Sequence, residues 1–172
     1  MSDPNSTKGT LFKEKLNAKA IKYRDCEPED LVISDCLKRI KSEIKDDKNA
    51  ILIGSSLGGL LAARTALENP NVKQIILLSP AIIPPSVDIT KVQGIPQRIL
   101  SEMQDHRLFE EKLESNIFIL AGKWDDTIPS DWALEFARAQ GVNVRFLDDD
   151  HMFTYNMNKL PDIINNILNK KH

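Results

Sequence analysis

The stretch "NAILIGSSLGGLLAARTALENP", Asn49 to Pro70, constrains the fold more than any other part of the chain. Ala50 to Ser55 is a continuous apolar run, the pattern of a strand buried on both faces. Leu57 to Leu67 is rich in Ala and Leu and is stopped by Asn69-Pro70, so it reads as a helix. Gly54-Ser55-Ser56-Leu57-Gly58 joins the two and fits G-x-S-x-G. In a strand–turn–helix context that pattern is a nucleophile elbow. Glycines are expected on both sides of Ser56 because side chains there would collide. Ser56 Oγ is expected to stand clear of the sheet near the positive end of the helix, and the Leu57 amide to point where an oxyanion would form. Two other readings remain: a glycine-rich turn for close strand–helix packing, and a phosphate cradle. A Walker P-loop is excluded because no Gly-Lys-Ser/Thr follows.

The rest of the chain repeats this alternation. A first helix is expected from Thr10 to Ala20, then a short strand at "AIKYRDC". Ile33, Cys36, Leu37, Ile40 and Ile44 have helical spacing, with Glu29 or Asp30 near the start. "KQIILLSP" and "NIFILAG" are further buried strands. "SDWALEFARAQG" is a helix with Ser130 at its N-cap and Gly141 as its stop, and "VNVRFLD" is a strand. Leu160, Ile163, Ile164, Ile167 and Leu168 mark a final amphipathic helix. Strands alternating with helices, several of them apolar on both faces, predict a parallel sheet covered by helices on both sides. Residues 1–172 are expected to form a single domain. The segment 81–115, with a helical stretch at "QRILSEMQDHRLFEEKL", is too long for a simple loop; it is a lid or an extended crossover.

Composition narrows the function classes. A net charge of −2 with evenly mixed signs leaves no footprint for nucleic acid or an anionic membrane. Cys26 and Cys36 lie too far apart to bridge if both sit on one helix, so free thiols are expected. No Cys/His cluster has zinc spacing. The polar "MSDPNSTKGT" is neither a signal peptide nor an anchor, and no apolar run approaches the roughly 20 residues that span a bilayer. The expected location is cytoplasmic.

A serine nucleophile needs a base, and the base an orienting acid. In hydrolases with this elbow the chain order is Ser, then Asp or Glu, then His. "ILAGKWDDTIPSDW" supplies carboxylates just after one apolar strand, and "RFLDDDHMF" a histidine just after the next. Of the three histidines, His172 ends the chain and His106 lies in the charged helical insert. His151 follows a strand end, where sites of parallel sheets gather.

The motifs GSSLGG, "GKWDDTIP" and "DDDHMF" together resemble the α/β-hydrolase superfamily, and within it the small YqiA/YcfP-type branch of esterases. The resemblance runs from Asp3 to Leu168. It implies Ser56 as nucleophile and His151 as general base. Gly122, Asp125, Ile128 and Pro129 take the positions of the acid-loop motif, which implies Asp125 rather than Asp126 as the acid. Asp148, Asp149 and Asp150 are rivals close in sequence to His151. The implied fold is a three-layer α/β-hydrolase-like parallel sheet flanked by helices. The implied reaction is cleavage of a small ester or thioester, with no metal or cofactor and with a small molecule as the partner. The alternative is a catalytically impaired hydrolase-fold protein that binds a partner or small molecule.

The resemblance has one gap. Relatives begin with a buried strand ending in His-Gly, followed by a loop similar to "SDPNSTKG"; here Met1 lies within that loop. The expectation is an N-terminally truncated sheet of five strands with an empty place between the elbow strand and "IKYRD". The lost loop usually gives the second oxyanion donor, worth about 10²–10³ in rate, and an amide from Ser2 to Ser6 is the nearest substitute.

Overall fold

The computed structural model describes residues 6–169. His172 and most of the Ser2–Ser6 donor loop therefore lie outside the described residues. Four apolar runs pair as parallel strands in the order of the chain: β1 (Ala50–Ser55), β2 (Val72–Leu78), β3 (Asn116–Gly122) and β4 (Val144–Leu147). Leu52 lies opposite Ile75, Ile76 opposite Phe118, and Leu120 opposite Arg145. The helices are α1 (Thr7–Leu16), α2 (Ile33–Glu43), α3 (Leu57–Glu68), α4 (Gln97–Met103), α5 (Arg107–Glu110), α6 (Ser130–Gln140) and α7 (Leu160–Leu168).

The alternation of β2 shows how the layers form. Ile75, Ile76, Leu77 and Leu78 are all fully buried, because each face of the strand meets a separate core. Ile75 and Leu77 join side chains of α2 to α6, while Ile76 and Leu78 join Phe12 of α1, Phe153, and Leu160, Ile164 and Ile167 of α7. Helices thus cover both faces, as a parallel sheet requires: this is a three-layer α/β fold.

Several local expectations are corrected. No strand forms at "AIKYRDC": residues 17–27 carry no regular element, although Tyr23 is buried against the α2–α3 core. The I-K-Y-R alternation suits a strand, but a strand exists only when a neighbour completes its ladder. β1 pairs with β2 alone among the described residues. Ser56 N–H donates to Leu78 O, so by alternation Ile51 and Ile53 present their backbone groups to the opposite edge. That edge borders a cleft, which Ala18 to Ile21 and Tyr23 also line. Among the described residues the sheet therefore has four strands, not five. The first helix lies over Thr7–Leu16 rather than Thr10 to Ala20; Ser6 Oγ caps it by accepting from Gly9 N–H, and Asn17 ends it in the left-handed conformation. Glu29 and Asp30 do lie just before α2, in a short 3-10 turn, and the Ile33 amide donates to Glu102 Oε2 at 2.8 Å. Ser130 is the first residue of α6, not its cap, whereas Gly141 does end that helix, with φ of 74°.

The 81–115 segment is pinned to the start of α2. Besides Glu102, Arg98 donates to Leu31 O at 3.0 Å, and Ala81, Ile82, Ile83, Ile99, Leu100 and Leu108 are buried. Its helical stretch is broken into α4 and α5. Cys26 is exposed and precedes α2; Cys36 is buried on α2, and both are free thiols. No helix among the described residues is long and apolar enough to cross a membrane.

Candidate active site

The elbow is held from the β2 side. Ser56 has φ 54° and ψ −120°, a conformation that only a strongly constrained non-glycine residue adopts. Its N–H donates to Leu78 O at 2.9 Å, and its carbonyl accepts from Gly59 N–H at 2.9 Å and Ala81 N–H at 3.0 Å. The glycines do not contribute alike. A Cβ on Gly54 would lie 2.1 Å from Gly58 O, and one on Gly59 would lie 2.8 Å from Pro80 Cβ. A Cβ on Gly58 would meet nothing within 4 Å. The steric demand expected on both sides of the serine therefore falls on Gly54 and Gly59, while Gly58 borders open cleft. The Leu57 amide is at the first position of α3, ahead of any intrahelical acceptor.

Asp125 and His151 meet above the ends of β3 and β4. His151 Nδ1 lies 2.8 Å from Asp125 Oδ2, with only 11% and 4% of the two side chains exposed. Asp125 Oδ1 accepts from Thr127 N–H at 3.0 Å and Ile128 N–H at 2.8 Å, so the acid-loop turn is wound around this carboxylate. Burial works to raise its pKa, but hydrogen bonds from His151, the Ile128 amide and the Ser79 hydroxyl outweigh burial and hold it below the usual carboxylate value. An ionised carboxylate only accepts, so Nδ1 carries the proton facing Asp125, and in the neutral imidazole the lone pair is on Nε2. Asp126 is exposed and accepts from the Thr127 hydroxyl at 3.2 Å.

The three consecutive carboxylates before His151 have other partners. Asp148 pairs with Lys123 at the surface. Asp150 accepts from Thr154 N–H. Asp149, fully buried, accepts from the amides of Asp150, Tyr155 and Asn156 and from Asn156 Nδ2, all at 2.7–3.0 Å. It thereby shapes the loop that carries His151. Gly122 lets that loop approach β3: a Cβ there would lie 2.5 Å from Asp150 O. Ser79, just past β2 with φ of 42°, is the support of Asp125 that sequence reasoning missed. No motif surrounds it; its positive φ was the one cue, and φ is invisible in sequence.

Ser56 and His151 line the same cleft, of about 1520 Å³, with Leu57, Gly58, Ile128 and Met152 around them. No hydrogen bond joins Ser56 Oγ to His151 among the described residues. His106 is elsewhere: it borders a smaller cavity of about 450 Å³ beside Arg64, Asp105 and Arg107. No group of three or more His, Cys, Asp or Glu among the described residues is placed to hold a metal ion.

Comparison with solved structures places this architecture. Est1E from Butyrivibrio proteoclasticus is 16% identical with a TM-score of 0.70, over 98% of this chain and 83% of that one. Alpha/beta hydrolase domain-containing protein 10 from mouse is 20% identical with a TM-score of 0.72, over 98% and 86%. Monoacylglycerol lipase from Paleococcus ferrophilus is 15% identical with a TM-score of 0.69, over 91% and 86%. At such identities the likeness establishes the fold, which is that of the α/β hydrolases. Sequence comparison with curated proteins finds no match. Residues 1–167 match the model of UPF0227, described as an uncharacterised protein family, and this chain belongs to that family.

Proposed function

We propose that the chain is a serine hydrolase acting on a small ester or thioester. The observation that carries this reading is the buried Asp125–His151 pair sharing one cleft with a strained Ser56. Ser56 Oγ attacks the acyl carbon while His151 Nε2 takes its proton. The carbonyl electrons move onto oxygen, and the Leu57 amide stabilises them. The C–O or C–S bond then breaks, and His151 returns the proton to the leaving alcohol or thiol. Water repeats the sequence to free the acid and regenerate Ser56. Asp125 keeps the imidazole in the Nδ1–H tautomer and favours the imidazolium that forms. The structural neighbours that are an esterase and a lipase support the reaction class.

The test is covalent labelling with a fluorophosphonate. Wild type and Ser55→Ala are expected to label, and Ser56→Ala is not. Equal labelling of wild type and Ser56→Ala would reject Ser56 as nucleophile. The missing Ser56–His151 hydrogen bond favours a second reading, a binding protein on a hydrolase scaffold. An unlabelled wild type would select it.

A further inference from the structure

Lys8 is the one lysine or arginine that is buried among the described residues. Local structure does not account for it. It sits in the first turn of α1, where a cation opposes the helix dipole, and burying an ammonium is costly unless something pairs with it. Its surroundings do account for it. Lys8 Nζ donates to Ser55 Oγ at 2.9 Å and lies 5.3 Å from the centroid of the Phe153 ring. Burial pushes its pKa below the usual lysine value, while Asp150, Asp125 and Asp149 act to keep it charged.

Those two contacts belong to different parts of the site. Ser55 precedes Ser56 on β1, and Phe153 follows His151 in the loop after β4. β1 and β4 are the opposite edges of the sheet, so the histidine loop has to reach across β2 and β3 to serve the elbow. Asp125 ties His151 to the β3 side. Lys8 touches both the elbow strand and the histidine loop.

We propose that Lys8 is a positioning residue that clamps the histidine loop to the elbow strand and so sets the approach of His151 Nε2 to Ser56 Oγ. The proposal rests on the serine-hydrolase reading for its effect on rate, but not for the clamp itself. Lys8→Met keeps the length of the stem and removes the charge; Lys8→Arg keeps a cation; Lys13→Met, on the exposed side of α1, is the control. The expected result for Lys8→Met is a fluorophosphonate labelling rate and a kcat on p-nitrophenyl acetate lowered by about 10²-fold, the scale of a small misplacement. KM is unchanged, and Lys8→Arg recovers most of the loss. Hydrogen exchange of the Asp150, Tyr155 and Asn156 amides is expected to speed up in Lys8→Met, while β2 amides and the thermal midpoint stay as in wild type. Unchanged loop exchange overturns the clamp, whether or not the protein is labelled. Faster loop exchange with wild-type labelling rates overturns its role in setting the approach. Faster loop exchange in a protein that is never labelled supports the clamp and overturns the hydrolase reading alone. Faster exchange throughout the sheet with a lowered midpoint overturns the proposal in favour of general destabilisation.

Discussion

β1 has two edges, and they are secured in different ways. Along one edge it is joined to β2 in register from Ile51–Gln74 to Ser55–Leu78, and Ile75 to Leu78 of β2 are fully buried. Along the other it borders the cleft, which residues of α1 and of the irregular stretch that follows it also line. Ser56 sits where the two regimes meet. Its backbone is tied down from the closed side, by Leu78 and Ala81. On the open side the Lys8 bond to Ser55 is one neighbouring contact. The geometry of the elbow is therefore a property of β2 and the crossover behind it, and the open side leaves room beside the serine without having to shape it.

The largest effect is expected within the closed side, between two adjacent carboxylates. Asp125→Asn keeps the shape but loses the acceptor that fixes the His151 tautomer, and kcat on a p-nitrophenyl ester should fall by about 10³–10⁴. Asp126→Asn, whose side chain is exposed, should cost less than about tenfold, because its carboxylate touches no group of the proposed mechanism. The reverse order would place the working acid on the wrong residue.

Stability divides along the same line. Ile76→Ala removes a fully buried side chain from the α1–α7 core and should lower the free energy of unfolding by about 2–5 kcal/mol. Ile51, on β1 and 49% exposed, should cost no more than about 0.5 kcal/mol on conversion to alanine. Denaturant titrations of the two variants measure the asymmetry directly; similar losses would mean that Ile51 is as well packed as Ile76.

The smallest contrast concerns glycines four positions apart. Gly54→Ala drives a Cβ into Gly58 O and should destabilise by about 1–3 kcal/mol, the cost of overpacking. Gly58→Ala enters open space in the first turn of α3 and should stabilise by about 0.4–1 kcal/mol, as such replacements do where the conformation is compatible. Thermal melts of both suffice. Destabilisation by Gly58→Ala would show that the cleft beside the elbow is tighter than its outline.

What could be read from sequence follows the range of the interactions. The strands at "AILIGS", "KQIILLSP", "NIFILAG" and "VNVRFLD" announce themselves because burial on two faces leaves an unbroken apolar run. Ser56 is legible because its turn needs Gly54 one step behind the strand end, and the choice of Asp125 over Asp126 could be posed because both lie in one short motif. Ser79, Asp149 and Lys8 were not legible. Each does its work through a partner far along the chain or through loop amides that any residue supplies, so none leaves a pattern. The false strand at "IKYRD" is the converse case: its alternation is local, whereas the ladder it lacks is not.

The bond from the Ile33 amide to Glu102 links residues 69 apart in sequence. A helix whose first turn is satisfied by its own N-cap completes its start from residues next to it in the chain. α2 has no such side-chain cap, and the acceptor for its first amide comes from the crossover that follows β1, α3 and β2. Closing so long a loop is an entropic charge that must be met before the bond rewards it. The start of α2 is thereby completed by a residue that follows β2, although the helix itself comes before every strand in the chain.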